Sequence, residues 1–280
     1  MKANEHTQQT LQTVLVLGGT GKTGRRIAQQ LTAKGWPVRI ASRSASPSFD
    51  WNDQATWAAN MQGVDAIYIS YQPDLAVPGA TDTIRALVRL AKENGVSKLV
   101  LLSGRGEKEA QECEDIIKTA GLRWTILRCA WFNQNFSEGY LLDPLLAGHV
   151  ALPAGDVKEP FVDVEDIADV AVAALTETGH DSQLYELTGP RLLSFPEAVA
   201  EISRATGKPI AYQQVSPAEY KDMLSTFGIP DDYIWLVNYL FSEVLDGRNA
   251  HLSDGVQRAL GRPAREFSLY AAEEAGKGTW

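Results

Sequence analysis

A glycine-rich segment near the start of the chain, Gly-Gly-Thr-Gly-Lys-Thr-Gly at 18–24, has the residue types and spacing of a dinucleotide-binding turn. It directly follows the aliphatic run at 14–17 and opens an amphipathic, helix-like stretch. Gly18 permits the tight turn, Gly21 lets the backbone approach a pyrophosphate, and Gly24 lets the helix pack closely on the strand. The alternative is a turn that binds no ligand, but this strand–helix setting is the one that pyrophosphate binding requires.

Thr20, Lys22 and Thr23 add side-chain donors to the same turn. The tripeptide Gly-Lys-Thr also occurs in the phosphate-binding loops of nucleotide hydrolases, which need a further glycine five positions before that Gly-Lys pair. Val16 stands at that position, inside the first apolar run. The spacing therefore excludes a phosphate-binding loop of that kind.

The end of the second apolar run indicates which dinucleotide binds. NAD-specific proteins place an acid there for the ribose hydroxyls, whereas this run ends in Ser42 and Arg43, and the first acid after it is Asp50. Because a guanidinium pairs with phosphate oxygens through two hydrogen bonds, Ser42 and Arg43 favour a 2′-phosphate and therefore NADPH. The alternative is that Arg43 is a solvated loop charge.

Strand-like and helix-like stretches alternate from Thr13 onward, which predicts a Rossmann-type α/β fold with a parallel sheet flanked by helices. The predicted strands lie at 14–17, 38–42, 49–51, 65–71, 98–103 and 123–128. After about Pro190 helical patterns dominate, with one weak strand around 210–213. We therefore predict a flexible tail at 1–12, an NADP(H)-binding Rossmann domain at 13–190, and a smaller, mostly helical substrate-side lobe at 191–280.

The overall composition excludes several function classes. A net charge of −9 and a pI of about 5.0 argue against nucleic acid as the main partner, since such binders carry a basic excess. Two cysteines and four scattered histidines indicate neither a disulfide framework nor a metal site. The polar N-terminus and the lack of a long apolar run predict a cytoplasmic protein without membrane association, either a monomer or a homodimer.

Two hydroxyl groups are candidates for the reacting end of the site. Ser103 ends a predicted strand, where it either hydrogen-bonds the nicotinamide or substrate or caps the helix that begins near Glu107. The usual tyrosine–lysine pair of short-chain dehydrogenases is absent, because none of the nine tyrosines precedes a lysine by four positions. The proton would then come from water or from Tyr71. Asp163 and Asp166 look like a catalytic carboxylate pair, but their spacing at a helix start predicts capping.

Several motifs along the chain identify a family resemblance. They are the glycine turn, Ala-Ser-Arg-Ser at 41–44, Leu-Leu-Ser-Gly at 101–104, Gly-Leu-Arg-Trp-Thr-Ile-Leu-Arg at 121–128, Trp-Phe-Asn-Gln-Asn-Phe at 131–136 and Phe-Val-Asp-Val-Glu-Asp-Ile-Ala at 161–168. From residue 13 to about 267 the sequence resembles the NmrA-like atypical short-chain dehydrogenases, which include NAD(P)H:quinone oxidoreductases and festuclavine/agroclavine dehydrogenase-type imine reductases. The resemblance implies bound NADP(H) and a substrate pocket between the Rossmann domain and the C-terminal lobe.

The resemblance also implies a set of substrate-binding residues. In that group the stretch matching 131–136 lies beside the nicotinamide and the substrate, so the implied substrate contacts are Trp131, Phe132, Asn135 and Phe136. Large apolar faces mixed with amide donors suit a flat organic molecule. The alternative is that these aromatics belong to the core.

Three further features bear on the pocket. The stretch matching 70–73 skirts the nicotinamide ribose in the group, which implies a cofactor contact for Gln72. Quinone-reducing relatives carry a histidine near the position of Ala110, and this departure weakens the quinone interpretation. Trp235, Tyr239 and Phe241 are candidates to close the pocket from the lobe, although their helical spacing fits core packing equally.

Together these observations predict an NADPH-dependent oxidoreductase that passes hydride to an imine, activated alkene, carbonyl or quinone of a small organic substrate. Without the tyrosine–lysine acid, iminium ions, quinones and activated enones fit better than simple ketones, because they need little help from protonation. The alternative, from another class, is a non-catalytic NADP(H)-binding redox sensor.

Overall fold

Short aliphatic runs form the strands of the central sheet. The structure is a computed structural model that describes residues 12–280. Its strands are β1 (Val14–Leu17), β2 (Val38–Ala41), β3 (Ala66–Ile69), β4 (Lys98–Gly104), β5 (Arg123–Cys129), β6 (His149–Leu152), β7 (Gln183–Leu187) and β8 (Ala211–Gln214). Six of them form a parallel sheet in the order β2-β1-β3-β4-β5-β7. All residues of β1 and β3 are buried, as in strands that helices cover on both faces.

Helices cover both faces of this sheet. The helices are α1 (Lys22–Ala33), α2 (Trp57–Met61), α3 (Ala80–Glu93), α4 (Lys108–Lys118), α5 (Leu142–Leu146), α6 (Val164–Thr176), α7 (Phe195–Thr206), α8 (Pro217–Thr226), α9 (Asp231–Tyr239), α10 (Gly255–Leu260) and α11 (Phe267–Lys277). One face packs against α2, α3 and α4, and the other against α1 and α6. The predicted Rossmann-type fold is therefore confirmed. No helix within residues 12–280 is long and apolar enough to cross a membrane.

The predicted strand at 49–51 is wrong. Asp50 forms an isolated antiparallel bridge with Asp53, and the segment is a turn beside α2. The ring of Phe49 packs on Trp51 and Trp57, with ring centroids 5.0 and 5.9 Å apart. Aromatic residues favour strands because they suit a half-buried surface. Here the aromatic residues instead pack a loop against α2.

A second, two-stranded parallel sheet pairs β6 with β8, and β8 confirms the weak strand predicted around 210–213. Because β6 precedes residue 190 and β8 follows it, elements from both sides of that position pack together. The helix α10 returns to the central sheet and packs on β7 and α6. The domain division at residue 190 stays a prediction, and the predicted tail lies, except for Gln12, outside the described residues.

The two acids near the start of α6 stabilise structure. Asp163 caps the helix, because its Oδ1 accepts a hydrogen bond of 2.9 Å from the N–H of Glu165. Asp166 forms an ion pair with Arg262 and accepts a hydrogen bond of 2.7 Å from the backbone N–H of Arg265. The capping prediction for this segment is confirmed.

Candidate functional site

A cavity of about 320 Å³ opens at the carboxyl edge of the central sheet. Its lining comes from the segments that follow β1, β3, β4 and β5, and α9 closes it from the opposite side. Parallel strands all point their carboxyl ends to this edge, where open α/β sheets bind their ligands. The topology therefore brings segments far apart in sequence into one site.

The predicted glycine turn lies at one end of this cavity. Gly18 has a φ of +70°, and its carbonyl oxygen accepts a hydrogen bond of 2.9 Å from the N–H of Gly21. A Cβ atom on Gly24 would stand 2.3 Å from that same carbonyl oxygen. The turn therefore requires glycine at Gly18 and Gly24, and it places the start of α1 directly at the cavity.

The start of α1 is suited to an anion. In the described part of the chain, no side chain caps this helix and no acid lies in its first turn, so its first N–H groups are available to a ligand. Lys22 lines the cavity, and burial lowers the pKa of its ammonium group while Glu138 raises it. Tyr68 donates a hydrogen bond of 2.9 Å to Thr23 Oγ1, which fixes that hydroxyl beside the turn. A pyrophosphate fits this set of donors.

The residues predicted to select the 2′-phosphate lie beside the turn, outside the cavity lining. Leu17 at the end of β1 pairs with Ala41 at the end of β2, so the glycine turn and Ser42 leave neighbouring strand ends. Arg43 and Thr20 are exposed next to this edge. Their position leaves both side chains accessible to a ligand that extends along the turn.

Ser103 lines the cavity, but its hydroxyl group is hydrogen-bonded to Glu114. It donates a hydrogen bond of 2.7 Å to Oε1 of the fully buried Glu114. The same oxygen accepts a hydrogen bond of 2.8 Å from Arg128 Nε. The alternative that Ser103 caps α4 is wrong, because the residue at the helix start is Glu107. The role of Ser103 toward cofactor and substrate stays a prediction.

The structure brings the two predicted residues after β3 into the cavity lining. Tyr71 is partly buried, and its ring meets Trp51 edge to face with centroids 4.9 Å apart. Gln72 is exposed at the cavity mouth, and its Nε2 lies 3.7 Å from where a Cβ on Gly21 would stand. The amide of Gln72 thus lies beside the glycine turn.

Three of the four predicted substrate residues line the cavity, namely Trp131, Phe132 and Asn135, and Phe136 does not. Phe136 is 1% exposed and packs in an aromatic core cluster. Its ring lies 5.5 Å from Phe161 and 5.6 Å from Phe267 between centroids. The 3₁₀ turn at Asn133–Asn135 changes the direction of the chain, so Phe136 faces away from the cavity.

The side of the cavity opposite the sheet is closed by residues that the sequence did not single out. They are Tyr140, Tyr233, Leu236, Val237 and Leu240. Trp235 is 45% exposed and stacks on Tyr239, with centroids 5.5 Å apart, and Phe241 lies in the lobe core. The side of α9 that faces the cavity therefore carries Tyr233, Leu236 and Val237. It lies next to the side with Trp235 and Tyr239, which the aromatic spacing had suggested.

Two acids in the cavity were missed by the sequence reasoning. Asp74 follows β3, Glu107 follows β4, and both line the cavity, where each carboxyl group shifts the pKa of the other. Glu107 is 7% exposed, and its Oε2 has no hydrogen-bond partner within residues 12–280. A Cβ on Gly104 would stand 2.1 Å from Glu107 Oε1, so this glycine makes room for the carboxyl group.

Burial raises the pKa of Glu107 well above its usual range, and the neighbouring Asp74 raises it further. Burial also raises the pKa of Asp74, while hydrogen bonds from Ala76 and Glu107 lower it. Two carboxyl groups in contact cannot both ionise cheaply, so the pair holds a proton. The signal that could have found them is their position after predicted strands, the same signal that pointed to Ser103.

Residues 12–280 contain no group of three or more His, Cys, Asp or Glu side chains arranged to hold a metal ion. Both cysteines, Cys113 and Cys129, are buried, and burial raises the pKa of each thiol.

Comparison with known proteins places this geometry in context. The sequence profile of the NmrA-like family matches residues 10–267. Festuclavine synthase II from Penicillium roqueforti is 31% identical over 281 residues, which cover 94% of this chain and 98% of that protein. The NAD(P)H azoreductase of Xenophilus azovorans is 29% identical over 283 residues, with coverage of 94% and 98%. An NADPH-dependent quinone oxidoreductase from Escherichia coli has the same fold, with a TM-score of 0.77 at 22% identity over 93% of this chain and 98% of that chain.

Proposed function

This chain belongs to the NmrA-like family, and on that premise we propose that it is an NADPH-dependent oxidoreductase. It passes hydride to an electrophilic C=N, C=C, C=O or quinone group of a small organic molecule. The observation that carries this proposal is one continuous cavity with an anion-binding helix start at one end and an aromatic wall at the other. The wall contains Trp131, Phe132 and Tyr140. The names of two relatives, an NAD(P)H azoreductase and a festuclavine synthase, support the class of chemistry.

The chain's own residues bind and orient the reactants. The turn from Gly18 to Gly24 and the N–H groups of α1 would hold the pyrophosphate, and Ser42 and Arg43 would hold the 2′-phosphate. When bound, NADPH supplies the hydride. The aromatic wall would hold a flat substrate at the carboxyl ends of β4 and β5 and exclude water from it.

The test combines turnover with binding. Oxidation of NADPH by the wild-type protein is followed with quinones, activated enones and N-alkylated cyclic iminium ions, beside calorimetric titrations of NADPH, NADP⁺ and NADH. We expect turnover with at least one acceptor class and NADPH affinity at least about tenfold above NADH affinity. Tight NADPH binding without turnover across the whole panel would contradict the oxidoreductase and assign the protein to the redox-sensor class.

A further inference from the structure

Asp74 and Glu107 form a carboxyl pair in the cavity lining, and the proposed function assigns this pair no role in binding the cofactor. We propose that Glu107 is the proton donor of the reaction and that Asp74 positions its carboxyl group. This inference rests on the proposed function, and it concerns those substrates whose reduction consumes a proton.

The placement of Glu107 fits a donor. Its carboxyl group is almost completely buried yet belongs to the cavity lining, and its Oε2 finds no hydrogen-bond partner among the described residues. A buried, ionised carboxylate with an unpaired oxygen is costly, whereas a protonated carboxyl group can donate to a molecule in the cavity. The missing side chain of Gly104 leaves the space in which this carboxyl group lies.

The two members of the pair differ in their surroundings. Asp74 is partly buried, and its Oδ1 accepts a hydrogen bond of 2.8 Å from the backbone N–H of Ala76, which favours its ionised form. Glu107 is deeper, and among residues 12–280 its Oε2 receives no such hydrogen bond. The pair therefore holds its proton on Glu107 and its negative charge on Asp74, as in other carboxyl pairs with opposite roles.

The groups that face Glu107 from the neighbouring elements oppose its ionisation. They are Asp74 after β3, Glu109 and Glu114 on α4, Cys129 on β5 and Tyr239 on α9. Each is neutral or negative, and burial of Glu107 acts in the same direction, so the pKa of Glu107 is raised. The two arginines nearby are directed to other partners. Arg105 lies 2.8 Å from His251 Nε2, and Arg248 donates to the carbonyl group of Gly106 and pairs with Asp246.

The other hydroxyl groups of the cavity are less suited to the task. The hydroxyl group of Ser103 donates a hydrogen bond to Glu114, so its proton is already engaged in a structural contact. Tyr71 lines the cavity and packs against Trp51, so it remains the competing donor that the test must separate from Glu107.

The proposed step balances atoms and charge. The carbon of the substrate double bond gains a hydride with its two electrons, and the partner atom of that bond gains a proton from Glu107. The O–H bond of Glu107 breaks, its electron pair stays on the carboxylate, and water returns one proton to the pair afterwards. An N-alkylated iminium cation gains the hydride alone and becomes a neutral amine, so its reduction has no need of Glu107.

The experiment compares E107Q, D74N and Y71F with E112Q, a control that removes an exposed carboxylate from α4. Infrared spectra of the protein alone, recorded against pH, detect the C=O band of a protonated carboxyl group. Burial also raises the pKa of Glu159, so the contribution of Glu107 is taken from difference spectra between the wild type and each variant. We expect a component that persists above the usual glutamate range, is absent in E107Q, is lost at lower pH in D74N and is unchanged in E112Q. With an enone, E107Q should lower kcat at least about 100-fold, while iminium reduction and NADPH affinity stay as in the wild type.

Three results would overturn the inference while leaving the proposed function intact. They are equal losses with enone and iminium in E107Q, an enone-specific loss in Y71F with none in E107Q, and an infrared difference between wild type and E107Q that lacks the Glu107 component. Failure of the proposed function has a different signature, since the wild-type protein itself would then oxidise NADPH with no acceptor, and the proton-donor role would fall with it.

Discussion

The carbonyl oxygen of Gly18 and the α-carbon of Gly24 approach so closely that a Cβ on Gly24 would stand 2.3 Å from that oxygen. We expect G24A to push the start of α1 away from β1 and to raise the Kd for NADPH at least about tenfold, or about 1.4 kcal/mol. Calorimetric titration measures this change.

The control is G276A in α11, where no atom lies within 4 Å of the new Cβ. There alanine should stabilise the helix by about 0.5–1 kcal/mol and leave NADPH binding unaltered. Wild-type affinity in G24A would show that α1 does not hold the cofactor.

Arg43 should determine the preference for NADPH over NADH. Its exposed guanidinium lies beside the glycine turn at the end of β2, so R43A should raise the Kd for NADPH about tenfold and leave that for NADH unchanged. R85A is the matched control, since Arg85 is an exposed arginine on α3 that pairs with Asp82. Equal losses for both dinucleotides in R43A would mean that Arg43 does not contact the 2′-phosphate.

The glycine turn and the sheet were predictable because their signals are local. A buried strand, a tight turn and a helix follow one another within about twenty residues, and each element imposes its own spacing on the sequence. The strand predicted at 49–51 was wrong because the local signal there is ambiguous. Aromatic residues occur both in strands and in buried loops.

The interior of the site was less predictable because it depends on contacts between distant segments. Asp74 and Glu107 meet because β3 and β4 are neighbours in the sheet, a relationship that no local spacing encodes. Phe136 was assigned to the pocket with Trp131. Both rings pack on Phe195, but after the 3₁₀ turn between them only Trp131 also lines the cavity. On α9 both faces carry aromatic or aliphatic residues, so periodicity alone does not select the side that faces the cavity.

Trp131 and Phe136 should therefore respond differently to the same substitution. W131L alters the cavity wall and should raise KM for the organic substrate about tenfold. Because Trp131 also packs on Phe195 and Phe241, W131L should lower the free energy of unfolding as well. F136L leaves the wall intact but loosens the aromatic core, so it should lower the free energy of unfolding by about 1–3 kcal/mol and leave KM unchanged. Urea unfolding and steady-state kinetics of both variants measure these effects. A raised KM in a folded F136L protein would return Phe136 to the substrate site.

Glu159 should make the stability of the protein depend on pH. It is fully buried, and among the described residues neither of its carboxyl oxygens has a hydrogen-bond partner. Burial raises the pKa of Glu159 to about 7, although Arg105 opposes this shift. A glutamate in the unfolded chain titrates near about 4.3, so between these values the folded protein binds one more proton than the unfolded chain.

Protonated Glu159 stabilises the folded protein at low pH. The stabilisation from Glu159 is complete below about pH 4 and is lost as the pH rises to about 7, a change of roughly 3 kcal/mol in the free energy of unfolding. E159Q cannot titrate, so its unfolding free energy should depend less on pH across this window. Urea denaturation at several pH values measures the difference, with E112Q as the control that keeps the wild-type dependence. If E159Q and the wild type show the same pH dependence, Glu159 is ionised in the folded protein throughout the window, and burial has not raised its pKa.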